Sequence, residues 1–134
     1  RDDIKHAFEL GADGVQISTR FVVTKECDAG EKFKWAYLNA SKEDIAIIDS
    51  PVGMPGRAIL TPFIKKLAKG KSPVGKCYNC LEHCNPKEIP YCITKALIEA
   101  VKGNIEEGLV FCGENACRLK KMTTVKEIFE ELIF

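Results

Sequence analysis

Several features that would place the chain in a class of protein at once are missing from its sequence. No apolar run approaches the roughly 18 residues that are needed to span a bilayer. We expect no signal peptide, because Arg1-Asp2-Asp3 leads directly into an amphipathic pattern. Positive charge is not in excess, since 20 Lys and Arg stand against 19 Asp and Glu. We therefore expect no membrane partner and no nucleic-acid partner, because phosphate-backbone binders concentrate basic residues on one face.

The chain is also short, with 134 residues, whereas a complete (β/α)₈ barrel typically takes about 250. Hydrophobic residues make up 46% of it and charged residues 29%. These shares are close to the average for globular proteins and exclude a disordered chain. No Met stands at position 1. We therefore expect one domain's length of folded structure that is part of a longer protein.

Cysteine is the residue type that the sequence has in excess. The seven cysteines are a high and odd number for a chain of this length. Because no secretory signal is seen, we expect a reducing, cytoplasmic location in which the thiols are free, buried or metal-bound. A framework of disulfides is the less favoured interpretation, since such frameworks are common in smaller domains.

The first forty residues predict a helix, a strand and a second helix. Apolar residues recur at helical spacing over residues 2–10, and Gly11 stands where a helix would stop. Residues 14–18 have the pattern of a short strand, and a helix follows in which Asp28 and Glu31 have the spacing of a capping box. Helix, strand and helix in this order are typical of the end of a repeating β/α architecture.

The remaining residues alternate between short apolar runs and loops that are rich in Gly and Pro. The longest helix is predicted at residues 91–102, with its large apolar residues facing inward. The other predicted elements are a strand at 45–48, a loop at 51–56, a helix that begins at Thr61-Pro62, a buried strand at 108–112, and a last helix capped by Thr124 and Glu127.

Two small hydroxyl residues, Ser18 and Thr19, follow one another where the predicted strand ends. At such a point backbone N–H groups can converge on an anion, and hydroxyls add further donors. In barrels of the β/α type, a phosphate group frequently lies at the loops after the last two strands. The turn is therefore a candidate phosphate site. The alternative, which pattern alone favours, is a Ser/Thr turn that only satisfies its own backbone.

The string GADGVQISTRF at residues 11–21 resembles the flavin phosphate-binding strand of the nitronate monooxygenase family. Flavin-dependent enoyl-acyl-carrier-protein reductases share this strand. The usual family string has Gly where this chain has Ser18. The resemblance covers nearly the whole chain, in the family's order. It continues at residues 24–27, 51–59, 90–93 and 113–116.

The resemblance implies an α/β fold, namely the C-terminal fragment of an FMN-binding (β/α)₈ TIM barrel with a mainly helical substrate-domain insertion. Residues 1–42 would be the end of the barrel with the FMN phosphate site. Residues 43–104 would be the insertion with a Cys-rich loop, and 105–134 a return strand, a loop and a C-terminal helix. Such a fragment leaves a strand edge and apolar stripes uncovered, which would favour a homo-oligomer.

The resemblance also implies which residues bind the cofactor. The main chain at Ser18 and Thr19 would hold the FMN phosphate, with Gln16 nearby on the same strand. Gly113 and Glu114 belong to a loop that returns towards the flavin in the family. Glu114 stands where the family more often has Gln, so this chain lacks the amide donor there.

The implied activity is that of an FMN-dependent oxidoreductase with a small-molecule substrate. The first candidate is a nitronate monooxygenase, formerly called a 2-nitropropane dioxygenase, which oxidises alkyl nitronates with O₂. The alternative is reduction of an enoyl thioester with NAD(P)H. The family's catalytic His is expected upstream of Arg1, because neither His6 on the first helix nor His83 in the cysteine segment fits that role. The chain alone is therefore expected to be inactive.

Four cysteines form a candidate metal site. Cys77, Cys80 and Cys84 have the spacing C-x₂-C-x₃-C, and Cys92 follows. A C-x₂-C pair lets two thiolates reach one metal, and two further thiolates could complete a zinc site or hold an iron–sulfur cluster. A metal-binding module without catalysis is therefore the alternative of another class. The favoured interpretation is free thiols that stabilise a loop, and a C-x₂-C redox pair is a weaker one.

Overall fold

The computed structural model describes residues 1–132, in which short helices surround one β-hairpin. No helix within these residues is long and apolar enough to cross a membrane. Short 3₁₀ turns cover Lys42–Asp44 and Glu114–Arg118. The mixed α/β content agrees with the expected class. The main elements are α1 (Asp2–Glu9), α2 (Thr19–Val22), α3 (Glu31–Asn39), β1 (Ile45–Ile48), β2 (Gly56–Ile59), α4 (Pro62–Leu67), α5 (Ile93–Val101) and α6 (Val125–Leu132).

The hairpin pairs β1 with β2 in antiparallel register. Ile45 lies opposite Ile59, and Ile48 lies opposite Gly56. The predicted strand at β1 is confirmed, whereas β2 begins inside the predicted Gly- and Pro-rich loop. A Cβ at Gly56 would lie only 2.4 Å from a ring atom of Phe111. This position therefore needs Gly because an aromatic ring packs directly on the backbone.

Residues 108–112 run beside β2 as a third extended segment. The Ile59 N–H donates to the Val110 carbonyl at 2.9 Å, and the Cys112 N–H donates to the Arg57 carbonyl at 3.0 Å. Val110 is fully buried. The buried strand predicted at residues 108–112 is confirmed in part: residues 108–110 are buried, but among the described residues this segment forms an isolated bridge, between Ala58 and Phe111, and not a full strand.

Helix α5 buries its small residues rather than its large ones. Ala96 and Ala100 are buried, while Ile98 and Val101 are 37% and 51% exposed. A Cβ at Gly108 would lie 2.6 Å from the Ala100 Cα, so the neighbouring backbone approaches this face too closely for larger side chains. The prediction that the large apolar residues face inward is therefore wrong for Leu97, Ile98 and Val101, whereas Ile93 packs against the second core cluster as predicted.

Helix α3 begins without the predicted capping box. Gly30 occupies the N-cap position and no side chain caps the helix. The Gly30 N–H donates to the Val101 carbonyl at 2.7 Å, and a Cβ at Gly30 would lie 2.8 Å from the Lys102 carbonyl carbon. The box predicted for Asp28 and Glu31 is therefore wrong, because close packing on the end of α5 determines where α3 starts.

The core consists of two clusters of buried residues that meet at β2. Ala58 and Ile59 are neighbours in β2 but belong to different clusters, because successive side chains of a strand point to opposite faces. The first cluster joins α3 to the segment around Val23, and the second joins α4 to α5. Their buried members are Val23, Tyr37, Leu38, Ala40, Ile59, Ala100, Val110 and Ala116 in the first, and Ala58, Phe63, Ile64, Tyr91, Ala96 and Leu109 in the second.

The strand predicted at residues 14–18 does not form in the described part of the chain. No helix or strand is assigned to these residues, and no segment within residues 1–132 lies beside them as a ladder partner. Val15 is 43% exposed as a result. A strand needs a neighbouring strand for its hydrogen bonds, so the local pattern alone does not produce one.

Candidate functional site

A cavity of about 800 Å³ lies between the beginning of the chain and the segment that precedes α6. Residues 15–20 line it, together with residues 113–116 and 118–121. The fold therefore brings two stretches together that are far apart in the sequence. All the residues that were expected to bind the cofactor line this one cavity, namely Gln16, Ser18, Thr19, Gly113 and Glu114.

The turn at Ser18 presents backbone donors that are not used internally. Ser18 is the N-cap of α2, and its side chain makes no capping bond. Within the described part of the chain, the N–H groups of Ser18 and Thr19 donate to no backbone carbonyl, as is usual for the first residues of a helical turn. The Ser18 carbonyl accepts a bond from the Phe21 N–H at 2.9 Å, so the turn is closed locally through its acceptor and not through these two donors.

A hydrogen bond connects the two walls of the cavity. The Gly113 N–H donates to Thr19 Oγ1 at 3.1 Å, across 94 positions of the sequence. A Cβ at Gly113 would lie 3.2 Å from the same oxygen, which is tight for a side chain. The small residue therefore lets the loop at 113–116 approach the turn at Ser18 closely.

Hydrogen bonds of two buried threonines, Thr24 and Thr123, stabilise the segment that follows the turn at Ser18. The Thr24 hydroxyl donates to the Phe21 carbonyl at 2.8 Å. The Thr123 N–H donates to the Val23 carbonyl at 3.1 Å, and the Lys25 N–H donates to the Thr123 carbonyl at 2.9 Å. Val23 and Thr24 are each 1% exposed. These bonds hold the turn in place because water cannot compete for buried groups.

Basic side chains outnumber acidic ones around the cavity. Among the described residues, five basic and three acidic side chains line it. The Arg20 guanidinium donates to the Glu131 carboxylate, and Arg118 lies 3.8 Å from Asp3. Taken together, these side chains leave an excess of two positive charges, which favours an anionic ligand. The lining charges are Arg1, Arg20, Arg118, Lys120 and Lys121 against Asp3, Glu114 and Glu131.

Glu114 lines the cavity, and its carboxylate lies near Arg57 of β2. Its carboxylate is 3.9 Å from the Arg57 guanidinium, and the two side chains are 73% and 39% exposed. An ion pair this exposed contributes little stability. Arg57 is therefore the charged partner of Glu114 in the structure.

Sequence reasoning missed the charged residues that line the cavity beside the turn. Arg20 directly follows Thr19, so its position could have been inferred from the string that carries the resemblance. Glu131 gave no such signal, because it reaches the cavity only through the packing of α6, and neither did Lys121, which lies in the segment before that helix.

The predicted metal site is not supported by the structure. The cysteine loop, residues 71–92, has no helix or strand, and its cysteines are free thiols. Among residues 1–132, no three His, Cys, Asp or Glu side chains are arranged to hold a metal ion. The correction concerns Cys77, Cys80, Cys84 and Cys92: the first two are exposed and the last two half-buried.

The four thiols of the cysteine loop are still near enough to influence one another. Burial raises the pKa of the Cys84 thiol, and the charges of Cys77, Cys80 and Cys92 raise it further. A raised pKa keeps a thiol protonated, whereas a metal ligand must be a thiolate. Without a metal ion, the Cys84 thiol therefore stays protonated to a higher pH than an ordinary cysteine.

Comparison with known proteins shows which family the chain belongs to. The profile of the family described as "Nitronate monooxygenase" matches residues 1–134. A curated protein of Mycobacterium tuberculosis, 5-hydroxy-7a-methyl-1-oxo-octahydro-1H-indene-4-carboxyl-CoA dehydrogenase, is 25% identical over 92% of this chain and 43% of its own length. A probable nitronate monooxygenase of Staphylococcus saprophyticus is 34% identical over 43% of this chain and 16% of its own length.

Solved structures resemble the whole described fold. FabK from Thermotoga maritima has a TM-score of 0.71 and 29% identity over 95% of this chain and 38% of its own. A point mutant of the same protein has a TM-score of 0.72 and 27% identity over 98% of this chain and 36% of its own. The chain thus spans less than half the length of the relatives that it matches.

Proposed function

Because the chain belongs to the nitronate monooxygenase family, we propose that it forms the phosphate-binding side of a flavin-dependent oxidoreductase whose flavin is FMN. One observation carries the proposal. The unused N–H groups of Ser18 and Thr19 lie at a cavity with an excess of basic side chains. A phosphate bears nearly two negative charges at neutral pH and has three oxygens that accept hydrogen bonds. It is therefore a suitable partner for such donors.

The residues present fit this group in number and in kind. The main chain at Ser18 and Thr19 would bind the phosphate oxygens, and Gly113 would keep the opposite wall close through its bond to Thr19. Gln16 would lie beside the cofactor on the same stretch of chain. Bound FMN would supply the electron-transfer chemistry. The role of these residues is to bind and orient its phosphate end.

For the whole protein we propose oxidation of alkyl nitronates with O₂, on a small-molecule substrate. Family membership and the probable nitronate monooxygenase among the relatives support this activity. In the proposal the protein works in the cytoplasm, where its thiols remain reduced. The proposal gives neither His6 nor His83 the catalytic role, and we expect the chain alone to be inactive.

A second candidate follows from the names of other relatives. Two carboxyl-CoA dehydrogenases, from Mycobacterium tuberculosis and Rhodococcus jostii, match 92% and 90% of this chain. Their names indicate a substrate joined to coenzyme A, which favours redox chemistry on a thioester. The reduction of an enoyl thioester belongs to this substrate class. The phosphate-binding role is the same in both candidates, because it depends on the cofactor and not on the substrate.

Binding of FMN and of riboflavin, which lacks the phosphate, tests the proposal on the chain itself. Isothermal titration calorimetry should give tighter binding of FMN. The substitution Ser18→Asp places a carboxylate at the phosphate and should weaken FMN binding by at least about tenfold, or about 1.4 kcal/mol. Riboflavin binding should change little.

Ser72→Asp provides the matched control, because the same change is made in the cysteine loop, away from the cavity. Circular dichroism should show that both variants keep their helices. Equal affinity of the unaltered chain for FMN and riboflavin would contradict the phosphate assignment. Unchanged FMN affinity in Ser18→Asp would contradict the placement of the phosphate at the turn.

A further inference from the structure

An acidic side chain stands among the basic ones that line the cavity. Glu131, near the end of α6, lines the cavity and forms an ion pair with Arg20, the residue after Thr19. The Arg20 side chain is 31% exposed and that of Glu131 is 51% exposed. A carboxylate therefore already engages the arginine that lies nearest to the turn in the sequence.

Packing holds this carboxylate in place. Ile128, one turn before Glu131, is fully buried. The rings of Phe21 and Phe129 meet edge to face with centroids 6.0 Å apart. The N–H of Val125 donates to the carboxylate of Glu26 at 3.1 Å. Contacts along the whole of α6 thus hold this helix against residues 21–26, and this packing places Glu131 at the cavity.

The charges around Glu131 keep it ionised. The hydrogen bond and the charge of Arg20 lower the pKa of its carboxyl, and the charge of Lys121 lowers it further. Arg20 and Lys121 also line the cavity. Glu131 therefore neutralises part of the positive charge that an anionic ligand would otherwise meet.

We propose that Glu131 competes with the phosphate of the cofactor for Arg20. This inference rests on the proposed function, since it takes the ligand to be a phosphate that binds at Ser18 and Thr19. When the phosphate binds, it shares or replaces the carboxylate as the partner of the guanidinium, which has several donors to offer. The carboxylate also repels the phosphate directly, because both are negatively charged. Glu131 thus lowers the affinity of the site.

The substitution Glu131→Gln separates charge from shape. Glutamine keeps the size of the side chain and an oxygen that accepts a bond from Arg20, so the arginine remains oriented. The negative charge is lost. We expect FMN to bind about fivefold more tightly, because one repulsive charge pair is removed near the protein surface. Riboflavin, which carries no phosphate, should bind with unchanged affinity.

Glu130→Gln is the matched control. Glu130 precedes Glu131 on the same helix, pairs with Lys126 at 3.7 Å and does not line the cavity. The control variant should bind FMN as the unaltered chain does. If the competition acts through the arginine, Glu131→Gln should have a smaller effect in an Arg20→Gln background.

Titrations of FMN and riboflavin into the four variants and the unaltered chain decide the matter. Tighter FMN binding confined to Glu131→Gln supports the competition. Weaker or unchanged FMN binding in Glu131→Gln overturns it, while the proposed function stands if the unaltered chain still prefers FMN to riboflavin. An equal gain in Glu130→Gln overturns it as well, because the effect would then be one of net charge. An unaltered chain without preference for FMN overturns the proposed function itself.

Discussion

Two regions of the molecule attract attention for different reasons, the cavity at Ser18 and the cysteine loop. The cavity is built from residues far apart in sequence, and buried groups such as Val23 and Thr123 hold it together. The cysteine loop has the denser motif, yet none of residues 71–90 is buried. Two contacts close its base, from the Ser72 N–H and the Lys71 ammonium to the carbonyls of residues 90 and 88.

The difference lies in how far each region is held in a fixed geometry. At the cavity, donors such as the Thr19 N–H lie on a framework that is fixed by buried hydrogen bonds, so a phosphate bound as proposed would find them already oriented. In the cysteine loop, reactive side chains lie on backbone with little buried support, so they are not held in a common geometry. Orientation, more than the number of candidate ligands, separates the two regions.

Core truncation in each region should give the largest contrast. Ile128→Ala removes a fully buried side chain from α6 and should lower the free energy of unfolding by about 2–5 kcal/mol. Leu81→Ala, at a half-buried position of the cysteine loop, should cost at most about 1 kcal/mol. Urea denaturation followed by circular dichroism measures both values. Equal costs for the two variants would show that the loop has a core of its own, and the comparison would fail.

Local features of this fold could be predicted from the sequence, and long-range ones could not. The cap formed by Thr124 and Glu127 was predicted correctly, because both partners lie within one turn. The start of α3 at Gly30 was not, because it depends on the approach of α5. The same holds for the buried face of α5, which Gly108 determines from outside the helix.

The candidate site divides in the same way. The turn at Ser18 and the loop at Gly113 followed from family resemblance, which already contains long-range information. The sequence pattern could not reveal the contact between Arg20 and Glu131, because these residues lie 111 positions apart. The cysteine spacing suggested a metal site, but spacing does not specify whether side chains converge in space.

The cap of α6 makes a smaller, pH-dependent contribution to the free energy of unfolding. The N–H and hydroxyl of Thr124 donate to the Glu127 carboxylate at 2.6 and 3.0 Å and lower the pKa of that carboxyl from its ordinary 4.5. A lowered pKa in the folded state means that the ionised form stabilises the fold. The contribution is complete above about pH 5 and is lost as the pH falls through the folded-state value.

Glu127→Gln should therefore destabilise the chain at pH 7, and the difference from the unaltered chain should vanish in acid, below the lowered pKa. Urea denaturation at a series of pH values measures this. Glu130→Gln, on the same helix but outside the cap, controls for the loss of one negative charge from α6. A stability difference for Glu127→Gln that persists unchanged in acid would mean that the cap does not depend on the charge.

The smallest expected effect is a difference in thiol reactivity, which compares the two regions without any substitution. Cys77 and Cys80 are exposed and should react first with a maleimide at neutral pH. Cys84 should react severalfold more slowly, since burial raises its pKa and the thiolate is the reactive form. Cys112, next to the cavity loop, serves as a reference, because burial raises its pKa too. Mass spectrometry of the digested protein gives the order of labelling.

The outcome distinguishes independent thiols from a joint site. Independent thiols react in the order of their exposure and ionisation, and a chelator leaves that order unchanged. A bound metal would instead protect Cys77, Cys80, Cys84 and Cys92 together, because each would be a ligand, and a chelator would release all four at once. The second result would show that a bound metal ion orders the cysteine loop. The two regions would then differ in that an ion orders the loop, whereas buried hydrogen bonds order the cavity at Ser18.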